Sequence, residues 1–394
     1  MTGALRPERE SDVVEAVRGA CHQGTKLDIV GGGTRRGLGR PRAGVREISS
    51  ERLSGIVFYA PEEMTICAKA GTTLETVEAT VGQRGQMLPF EPMRPQRLWG
   101  ASGEPTLGGT VATNLSGPRR LSAGAVRDAV LGVRLVNGLG EPIRCGGRVM
   151  KNVTGLDLTK LNCGAHGTLG FLLEATVKLA PKPENETTLA IPDIDDVAAI
   201  DAMTRALGSP FGVSGAAWIA AGMGDEPPRA LLRLEGFEDS IAYRARRLIE
   251  LLAGFGRTSA ISGEESAVLW RSIRDVHYIA EPRDRAVWRI SIAPSRAASF
   301  VACLGETTLA HFYDWGGGLV WLATDASRLA AGVVRRALAS AGGHATLMRA
   351  PEELRAAVAV FQPPSNLELR LNRGLKSSFD PGAVLNFGRM YEGV

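Results

Sequence analysis

The chain has 394 residues, of which 44% are hydrophobic and 22% charged, and its formal net charge is +4. A high apolar fraction combined with a low net charge excludes an intrinsically disordered protein. Acidic and basic residues are interleaved along the sequence, which argues against a dedicated nucleic-acid-binding protein. The length predicts about two domains.

Cellular location and metal content can be addressed from the same composition. No apolar run reaches the ~18 residues that a membrane span needs, and acidic residues occupy the N-terminal stretch where a signal peptide is apolar. We therefore expect a cytoplasmic protein. The five cysteines lie at least 18 positions apart, so their spacing supports neither a zinc site nor an iron–sulfur centre. Reduced thiols and no metal site are expected.

The first half of the chain predicts short strands and helices in mixed order. The predicted strands cover residues 27–30, 55–59, 65–70, 130–136, 143–145 and 169–179. A helix is predicted over residues 71–82, because Leu74, Val77 and Val81 recur at helical spacing. Asn137-Gly138 predicts a hairpin turn between the fourth and fifth strands.

Pro181-Lys182-Pro183 marks the predicted boundary between the two halves. Beyond it, helical and strand patterns alternate, which predicts an α+β layer with helices packed on one sheet. The predicted helices cover residues 196–207, 240–253, 265–276, 326–341 and 366–375, and the predicted strands cover residues 215–219, 230–234, 287–292 and 318–322.

The first of three glycine-rich clusters, Gly31-Gly32-Gly33-Thr34, follows the first predicted strand. Successive glycines let backbone N–H groups point into one concavity, which can bind an anion such as a pyrophosphate. Arg36 stands where a GxGxxG motif needs its last glycine, and the Gly-Lys-Ser/Thr ending of a P-loop is missing. An ordinary glycine turn stays open as the alternative.

The second cluster runs from Thr106 to Asn114 and consists mostly of small residues. Thr106 is a predicted helix N-cap. Because small side chains leave the N–H groups and the positive end of a helix accessible, this segment also suits a diphosphate. Arg119 and Arg120 follow shortly after, and they either add positive charge to the site or lie in solvent.

The third cluster consists of two glycine-rich turns around a short predicted helix, at residues 151–161 and 164–170. Turns of this kind can close over a flat cofactor. Three clusters that match no mononucleotide motif favour one large anionic cofactor contacted from several loops. His166 lies in the second turn, where a lone histidine is more often a structural residue than a catalyst.

These clusters, in this order, resemble the FAD-binding domain of the vanillyl-alcohol oxidase, or p-cresol methylhydroxylase (PCMH), superfamily. The resemblance implies an α+β fold with a PCMH-type two-subdomain FAD-binding domain at residues 1–185. It also implies an α+β cap domain at 186–349 and a C-terminal segment, 350–394, that packs back on the FAD domain. Covalent members carry a histidine in the pyrophosphate loop, where this chain has Thr34 and Arg35, so noncovalent FAD is implied.

Further segments resemble the family of FAD-binding subunits of bacterial glycolate oxidase over nearly the whole chain. They are residues 85–92, 117–120, 147–153, 314–317, 342–346 and 386–391. This resemblance implies oxidation of glycolate, a small 2-hydroxy acid, beside a catalytic FAD subunit and an iron–sulfur subunit. Contact with the inner membrane would then be peripheral and through those partners.

The glycine clusters and the resemblance together predict the residues that contact FAD. They are Gly31, Gly32, Gly33, Thr34, Pro89, Gly108, Gly109, Ala112, Thr113, Asn114, Gly117, Arg119, Gly124, Asp157, Gly164, Gly167, Thr168, Phe171 and Asn386. Asn386 is expected to return to the edge of the flavin with Arg389 nearby.

Oxidation of a 2-hydroxy acid needs a base for the hydroxyl proton and a cation for the carboxylate. His344 and His166 are the candidate bases. The alternative for His344 is a structural role, as a polar residue at the start of a cap strand after Gly342-Gly343. The five histidines are scattered without a His-His or His-x-His pair, which disfavours a metal-assisted site. Whether this chain supplies the base itself stays open.

The cysteine spacing offers no iron–sulfur ligands, so the one-electron acceptor is expected on a partner chain. Two alternatives stay open. One is a free-standing FAD oxidase or dehydrogenase acting on another hydroxy acid or a sugar alcohol. The other is a noncatalytic flavin-fold scaffold, which would bind no FAD.

Overall fold

The structure is a computed structural model that describes residues 3–147, 156–223 and 227–394. Residues 148–155, which include the start of the third glycine cluster and most of the resembling segment 147–153, lie outside the described residues. Within the described ranges, no helix combines the length and apolarity needed to cross a membrane.

Helices and strands alternate along the chain. The helices are α1 Glu10–Gln23, α2 Leu74–Gly82, α3 Gln96–Trp99, α4 Leu107–Thr113, α5 Arg120–Ala123, α6 Val126–Ala129, α7 Leu158–Asn162, α8 Asp196–Leu207, α9 Glu238–Leu252, α10 Gly263–Arg274, α11 Pro294–Leu304, α12 Arg328–Ala341, α13 Glu352–Ala357 and α14 Asn366–Phe379. The strands are β1 Lys26–Val30, β2 Val45–Ser49, β3 Ile56–Ala60, β4 Thr65–Lys69, β5 Gln86–Met87, β6 Val130–Val136, β7 Pro142–Gly146, β8 Phe171–Lys178, β9 Ala180–Pro181, β10 Asn185–Pro192, β11 Gly215–Ile219, β12 Arg229–Gly236, β13 Ser259–Ser262, β14 Ala286–Ser291, β15 Ala310–Asp314, β16 Leu319–Thr324 and β17 His344–Arg349.

The N-terminal part consists of α1 and the parallel pair β1–β2. Val13, Val17 and Ala20 recur at helical spacing and bury one face of α1 in a core that also contains Leu27. Leu385, near the C-terminus, belongs to the same core and forms a parallel bridge with Leu27. The two ends of the chain are therefore joined at β1.

A five-stranded antiparallel sheet in the order β3-β4-β8-β6-β7 forms the second layer. Both faces of β8 are largely buried, and α4 packs on it. Thr106 caps α4 by accepting a hydrogen bond from the Gly109 N–H at 3.2 Å, as its N-cap assignment predicted. The cap fixes where α4 begins, directly beside the loop after β1.

The remaining long strands build an eight-stranded antiparallel sheet in the order β13-β10-β12-β11-β15-β16-β14-β17. Its core contains the buried indoles of Trp270 and Trp288. The α+β fold class predicted from the sequence is confirmed. The predicted boundaries at residues 185 and 349 stay predictions.

Most predicted elements match the structure within a few residues, and β17 is the cap strand given as the alternative role of His344. The elements that were not predicted are α1, α3, α5, α6, α11, α13, β2, β5, β9, β10, β13 and β15. The hairpin between β6 and β7 is present, but its loop covers residues 137–141 and is longer than a two-residue Asn-Gly turn. The reason is local. The Asn137 side chain accepts hydrogen bonds from the N–H groups of Leu139 and Glu141, at 3.0 and 2.9 Å.

A buried lysine holds the C-terminal segment in place. Lys376 in α14 is 4% exposed, and its ammonium donates to the carbonyls of Thr168 and Leu385 and to the Asp380 carboxylate, each at 2.7 Å. Asp380 in turn accepts from the N–H of Leu385 at 2.7 Å. This charge network joins α14, the turn before β8 and the segment paired with β1.

Replacing Lys376 by methionine leaves the buried Asp380 carboxylate without its counter-charge. We expect Lys376→Met to lower the free energy of unfolding by about 3–5 kcal/mol, measured by urea denaturation. Lys182→Met, at an exposed lysine, is the control and should change stability by less than about 0.5 kcal/mol. Equal stability of the two variants would contradict the role given to Lys376.

Candidate functional site

A cavity lies where the loop after β1 meets α4 and the turn before β8. Its empty volume, counted together with the space that opens to solvent, is about 780 Å³. The predicted residues that line it are Gly31, Gly32, Gly33, Thr34, Gly108, Gly109, Ala112, Thr113, His166, Gly167 and Asn386. A wider groove of about 1860 Å³ shares Gly31 to Thr34 with this cavity.

The glycines of the loop after β1 are required by neighbouring protein atoms. A Cβ at Gly32 would lie 1.8 Å from the Glu104 carbonyl oxygen, and one at Gly31 would lie 2.5 Å from Thr106 Oγ1. Gly33 has a φ of +76°, in the left-handed region that disfavours side chains. The loop is therefore pressed against residues 104–106, and a side chain at Gly32 would displace it whether or not a ligand were bound.

The two glycines of α4 have different surroundings. A Cβ at Gly108 would lie 2.6 Å from the Ala70 Cβ, because α4 packs there on the segment after β4. A Cβ at Gly109 would meet only Thr106 Oγ1 at 3.2 Å and Arg35 Nη1 at 3.3 Å. A larger side chain at Gly109 would require Thr106 Oγ1 and the Arg35 side chain to move by a few tenths of an ångström, and it clashes less than one at Gly108.

Arg35 places a buried positive charge at the cavity. The residue is 7% exposed, and one guanidinium nitrogen donates to the Met93 carbonyl and to Thr110 Oγ1, both at 3.3 Å. Across the described part of the chain, no carboxylate lies within ion-pair distance of Arg35, and its Nε has no hydrogen-bond partner. Burial lowers the pKa of Arg35 to about 10, so the guanidinium is charged at neutral pH and lacks a counter-charge.

A second arginine, Arg389, reaches the same cavity from the C-terminal segment. Its guanidinium contacts the Asp28 carboxylate at 3.3 Å and donates to the carbonyls of Arg35 and Leu38, both at 3.3 Å. Burial, together with the nearby charge of Arg42, lowers the pKa of Arg389 to about 10. Arg389 thus holds the loop after β1 in place through these carbonyl contacts. The cavity is therefore lined by two arginines, Arg35 and Arg389, that carry positive charge.

Asn386 fixes the cavity wall through both ends of its amide. Its Oδ1 accepts from the Ile29 N–H at 2.8 Å, and its Nδ2 donates to the His166 carbonyl at 2.6 Å. The residue has a φ of +43°, which asparagine tolerates better than most residues. Asn386 therefore links β1, the turn before β8 and the C-terminal segment at the cavity.

His166 is 9% exposed and has a φ of +52°. Its ring makes an edge contact with Phe361 at 4.9 Å between centroids, and its Nδ1 finds no partner among the residues that are described. Burial, with the charges of Arg389 and Arg35, lowers the pKa of His166 to about 3. The imidazole is consequently neutral at physiological pH.

A second pocket adjoins the cavity, and Thr113 and His166 line both. We call it the adjoining pocket; it is lined by Gly164 and by the polar residues Thr113, Asn114, Arg120, His166, Arg289, Ser291, His344 and Thr346. The last four of these residues in the chain come from paired strands, because Arg289 lies opposite Thr346 and Ser291 opposite His344. Side chains two residues apart share a face of a strand, so this pair of strands presents one polar face to the FAD-domain loops.

Two of the five histidines, His166 and His344, line the adjoining pocket. Burial and the charges of Arg289 and Arg120 lower the pKa of His344. Within residues 3–147, 156–223 and 227–394, no group of three or more His, Cys, Asp or Glu side chains could hold a metal ion.

Several residues predicted to contact the cofactor do not line the cavity. These are Pro89, Gly117, Arg119, Gly124, Asp157, Thr168 and Phe171, while Asn114 and Gly164 lie at the adjoining pocket. The Arg119 guanidinium is paired with Glu235, with Nε 3.1 Å from Oε2. Phe171 is fully buried in the core around β1. These two side chains are occupied by contacts within the protein.

The other predicted residues at a distance have structural contacts. Asp157 caps α7 by accepting from the Lys160 N–H at 3.0 Å, and Thr168 donates to the Ala165 carbonyl at 2.8 Å. Gly124 ends α5 with a φ of +81°. A Cβ at Gly117 would lie 2.7 Å from the Glu91 carbonyl oxygen, and Pro89 is buried. Capping and turn geometry account for these residue types without a ligand.

Sequence reasoning missed two groups that the structure brings to the site. Arg35 was noted only as a residue that replaces a histidine, and its burial depends on contacts with distant segments. Arg289 was not singled out at all. The available signal was the alternation of polar and apolar residues over 289–291 and 344–346, but the pairing of those strands cannot be seen in the sequence.

Comparison with solved structures identifies the fold. Two crystal forms of an alkyldihydroxyacetonephosphate synthase match this chain with TM-scores of 0.66 and 0.69, at 14% and 16% identity. The matches cover 98% and 97% of this chain and 76% and 75% of those chains. The PCMH-type fold class is confirmed.

Comparison with known sequences identifies the family. Residues 2–146 match the family described as "FAD binding domain". The chain is 36% identical to glycolate oxidase subunit GlcE of Escherichia coli over 96% of both chains. It is also 32% identical to a D-2-hydroxyglutarate dehydrogenase of Xanthomonas citri, over 51% of this chain and 42% of that protein. Similarly, it is 34% identical to glycolate oxidase subunit GlcD of Bacillus subtilis, over 48% and 39%.

The cofactor and reaction class predicted from the sequence are confirmed, namely FAD and oxidation–reduction. With a relative that aligns over nearly the full length of both proteins, the chain belongs to the family of glycolate oxidase subunit GlcE and is an FAD-dependent oxidoreductase.

Proposed function

We propose that this chain is the FAD-binding subunit of a heteromeric glycolate oxidase, which oxidises glycolate to glyoxylate and passes the electrons to an iron–sulfur partner subunit. The full-length similarity to a protein named as a glycolate oxidase subunit supports the reaction and the complex. One observation supports the placement of FAD in the cavity: Arg35 carries a positive charge there without a carboxylate partner among the described residues. The cavity is lined by glycines, and the pocket beside it contains histidine and arginine side chains. Any membrane contact would come through the partners.

The residues at the cavity fit FAD. No carboxylate among the described residues pairs with the Arg35 guanidinium, and a diphosphate would supply the negative charge. Gly31 to Gly33 leave backbone N–H groups at the wall without side chains between them and a ligand. Gly109, Ala112 and Gly167 leave room beside them. When bound, FAD accepts a hydride from the substrate, and we propose that these residues hold it without a covalent bond.

The remaining chemistry requires a base. Oxidation removes a hydride from the carbinol carbon and a proton from the hydroxyl group, and the resulting carbonyl is glyoxylate. We propose that His344 accepts the hydroxyl proton, because it lies in the adjoining pocket and its pKa is lowered. An unprotonated imidazole at neutral pH is the form that a base needs. His166 is also neutral, and it lines both the cavity and the adjoining pocket.

FAD retention tests whether the cavity is the cofactor site. Gly109→Val places a side chain in the cavity and should weaken FAD binding at least tenfold, because the volume is then occupied. The measurement is the FAD content of purified protein and a titration of the apoprotein with FAD. Gly82→Val is the matched control, since a Cβ at Gly82, in the last turn of α2, meets nothing within 4 Å.

Normal FAD binding by Gly109→Val would remove the cavity assignment. A thermal melt accompanies both variants. A folded Gly109→Val protein that has lost FAD supports the assignment, and Gly82→Val should retain both the fold and the cofactor.

Anaerobic reduction tests the reaction. Addition of glycolate to the purified FAD-containing chain should bleach the visible absorption band of the flavin, and glyoxylate should form in equal amount. A one-electron acceptor such as ferricenium should then restore the band, with two equivalents per flavin, faster than oxygen does.

Three other results would contradict the proposal in distinct ways. An FAD-containing chain that glycolate reduces neither alone nor together with its partner subunits has a different substrate. Reoxidation by oxygen as fast as by ferricenium indicates a free-standing oxidase. A folded protein that neither contains nor binds FAD indicates a scaffold.

A further inference from the structure

A surface groove lies between α14 and the last residues of the chain, and we call it the C-terminal groove. Its lining includes Val360, Phe361, Pro363, Leu369, Met390 and Tyr391. Phe361 and Met390 also line the adjoining pocket, so the two spaces share a wall. We propose that the C-terminal groove is the docking site of the iron–sulfur subunit that accepts the electrons. This inference rests on the proposed function and names the surface through which the electrons leave.

The residue types of the groove are those enriched at the centre of protein interfaces, namely aromatic residues, methionine and arginine. The rings of Phe361 and Tyr391 contact each other at 6.2 Å between centroids. Pro363 and Pro364 restrict the backbone of the segment that enters α14. The groove is thus formed by restrained segments, and less conformational entropy is lost when a partner binds to such a surface.

Helix α14 is one wall of the groove and has an uncovered apolar surface. Leu367 and Leu371 are 55% and 57% exposed, and because they lie four residues apart they share one side of the helix. All of α14 lies in the described range 227–394, and Lys376 is its single fully buried residue. A surface helix usually turns its apolar side chains toward the protein. The two exposed leucines are therefore available to a partner that also enters the groove.

The charges around the groove select an acidic partner. Arg40 and Arg373 line the groove, Arg370 lies on the adjacent surface of α14, and no carboxylate among the described residues pairs with these three guanidinium groups. They are accessible to water and need no ligand, but they set the sign of charge that a partner must carry. Of the nearby acids, Glu368 is engaged in the capping box of α14, and Glu392 lines the groove.

A second copy of this chain fits the groove poorly. A two-fold contact places the same surface against itself, so Arg370 and Arg373 of each copy would meet the same cations of the other. Like charges brought together at an interface cost several kcal/mol. The occupant is therefore a different chain, whose contact surface has apolar side chains surrounded by Asp or Glu.

The position of the groove identifies the electron acceptor as that chain. Phe361 contacts the His166 ring at 4.9 Å between centroids, and His166 lines the cavity proposed for FAD. Oxidation of one glycolate to glyoxylate releases two electrons and two protons. An iron–sulfur centre takes one electron at a time, so two equivalents are reduced, and the protons pass to water. An acceptor in the groove is separated from the cavity by the side chains of Phe361 and His166.

The test compares a protein acceptor with a small one on Leu371→Asp and Arg373→Glu, two changes at exposed residues. Isothermal titration of the FAD-containing chain with the purified iron–sulfur subunit of the same organism's glycolate oxidase should show at least tenfold weaker binding for each variant. Electron transfer from glycolate to that subunit should fall at least tenfold, whereas turnover with ferricenium, which needs no docking surface, should keep its rate. Leu329→Asp is the matched control, because Leu329 is 75% exposed on α12 and lies outside the groove.

Arg373→Lys keeps the charge, and retention of most of the affinity by this variant supports the proposal. Binding and electron transfer that are unchanged in Leu371→Asp and Arg373→Glu overturn it, as does an equal loss in Leu329→Asp. Weaker binding of the catalytic FAD subunit, with unchanged binding of the iron–sulfur subunit, also overturns it, because the groove would then hold a different partner. Binding is measured without glycolate, so a failure of glycolate to reduce the flavin would count against the proposed function and not against this surface.

Discussion

Buried guanidinium charge is the constraint on which this structure depends. A buried cation costs several kcal/mol unless a carboxylate or a set of acceptors compensates it. Between the two sheets the compensation is internal, since Arg233 contacts Glu91 and Arg119 contacts Glu235. At the cavity, Arg35 instead donates to two neutral acceptors at 3.3 Å, the Met93 carbonyl and Thr110 Oγ1. Arg233 and Arg119 thus hold the layers together through carboxylate partners, whereas Arg35 is placed to bind an anionic ligand.

The cavity exists because distant segments converge on β1. Asn386 bonds to Ile29 and to the carbonyl of His166, and Lys376 draws the same C-terminal segment onto the turn before β8. Loop residues placed by a rigid scaffold are the usual location of binding sites. Tertiary contacts therefore hold the wall of the cavity in place. Because the wall includes glycines, backbone atoms rather than side chains face a ligand there.

The sequence was sufficient for the features that depend on local chemistry. The Gly31 to Gly33 turn, the N-cap at Thr106 and helix α8 are consequences of residue type and spacing, and the family resemblance rests on the same segments. Features that depend on pairing were not predictable. Arg119 was expected at the cofactor, but its charge is taken by Glu235, 116 residues away. Arg289 lies beside His344 at the adjoining pocket because β14 pairs with β17, and strand pairing cannot be read from the sequence.

We propose that Arg35 binds the diphosphate of FAD. This role can be tested by comparing the affinities of one variant for two flavins. Apoprotein carrying Arg35→Met is titrated with FAD and with riboflavin, which has the same ring but no phosphate. We expect at least tenfold weaker binding of FAD, with riboflavin binding unchanged. Equal FAD affinity in the variant and the wild type, or an equal loss for both flavins, would contradict it.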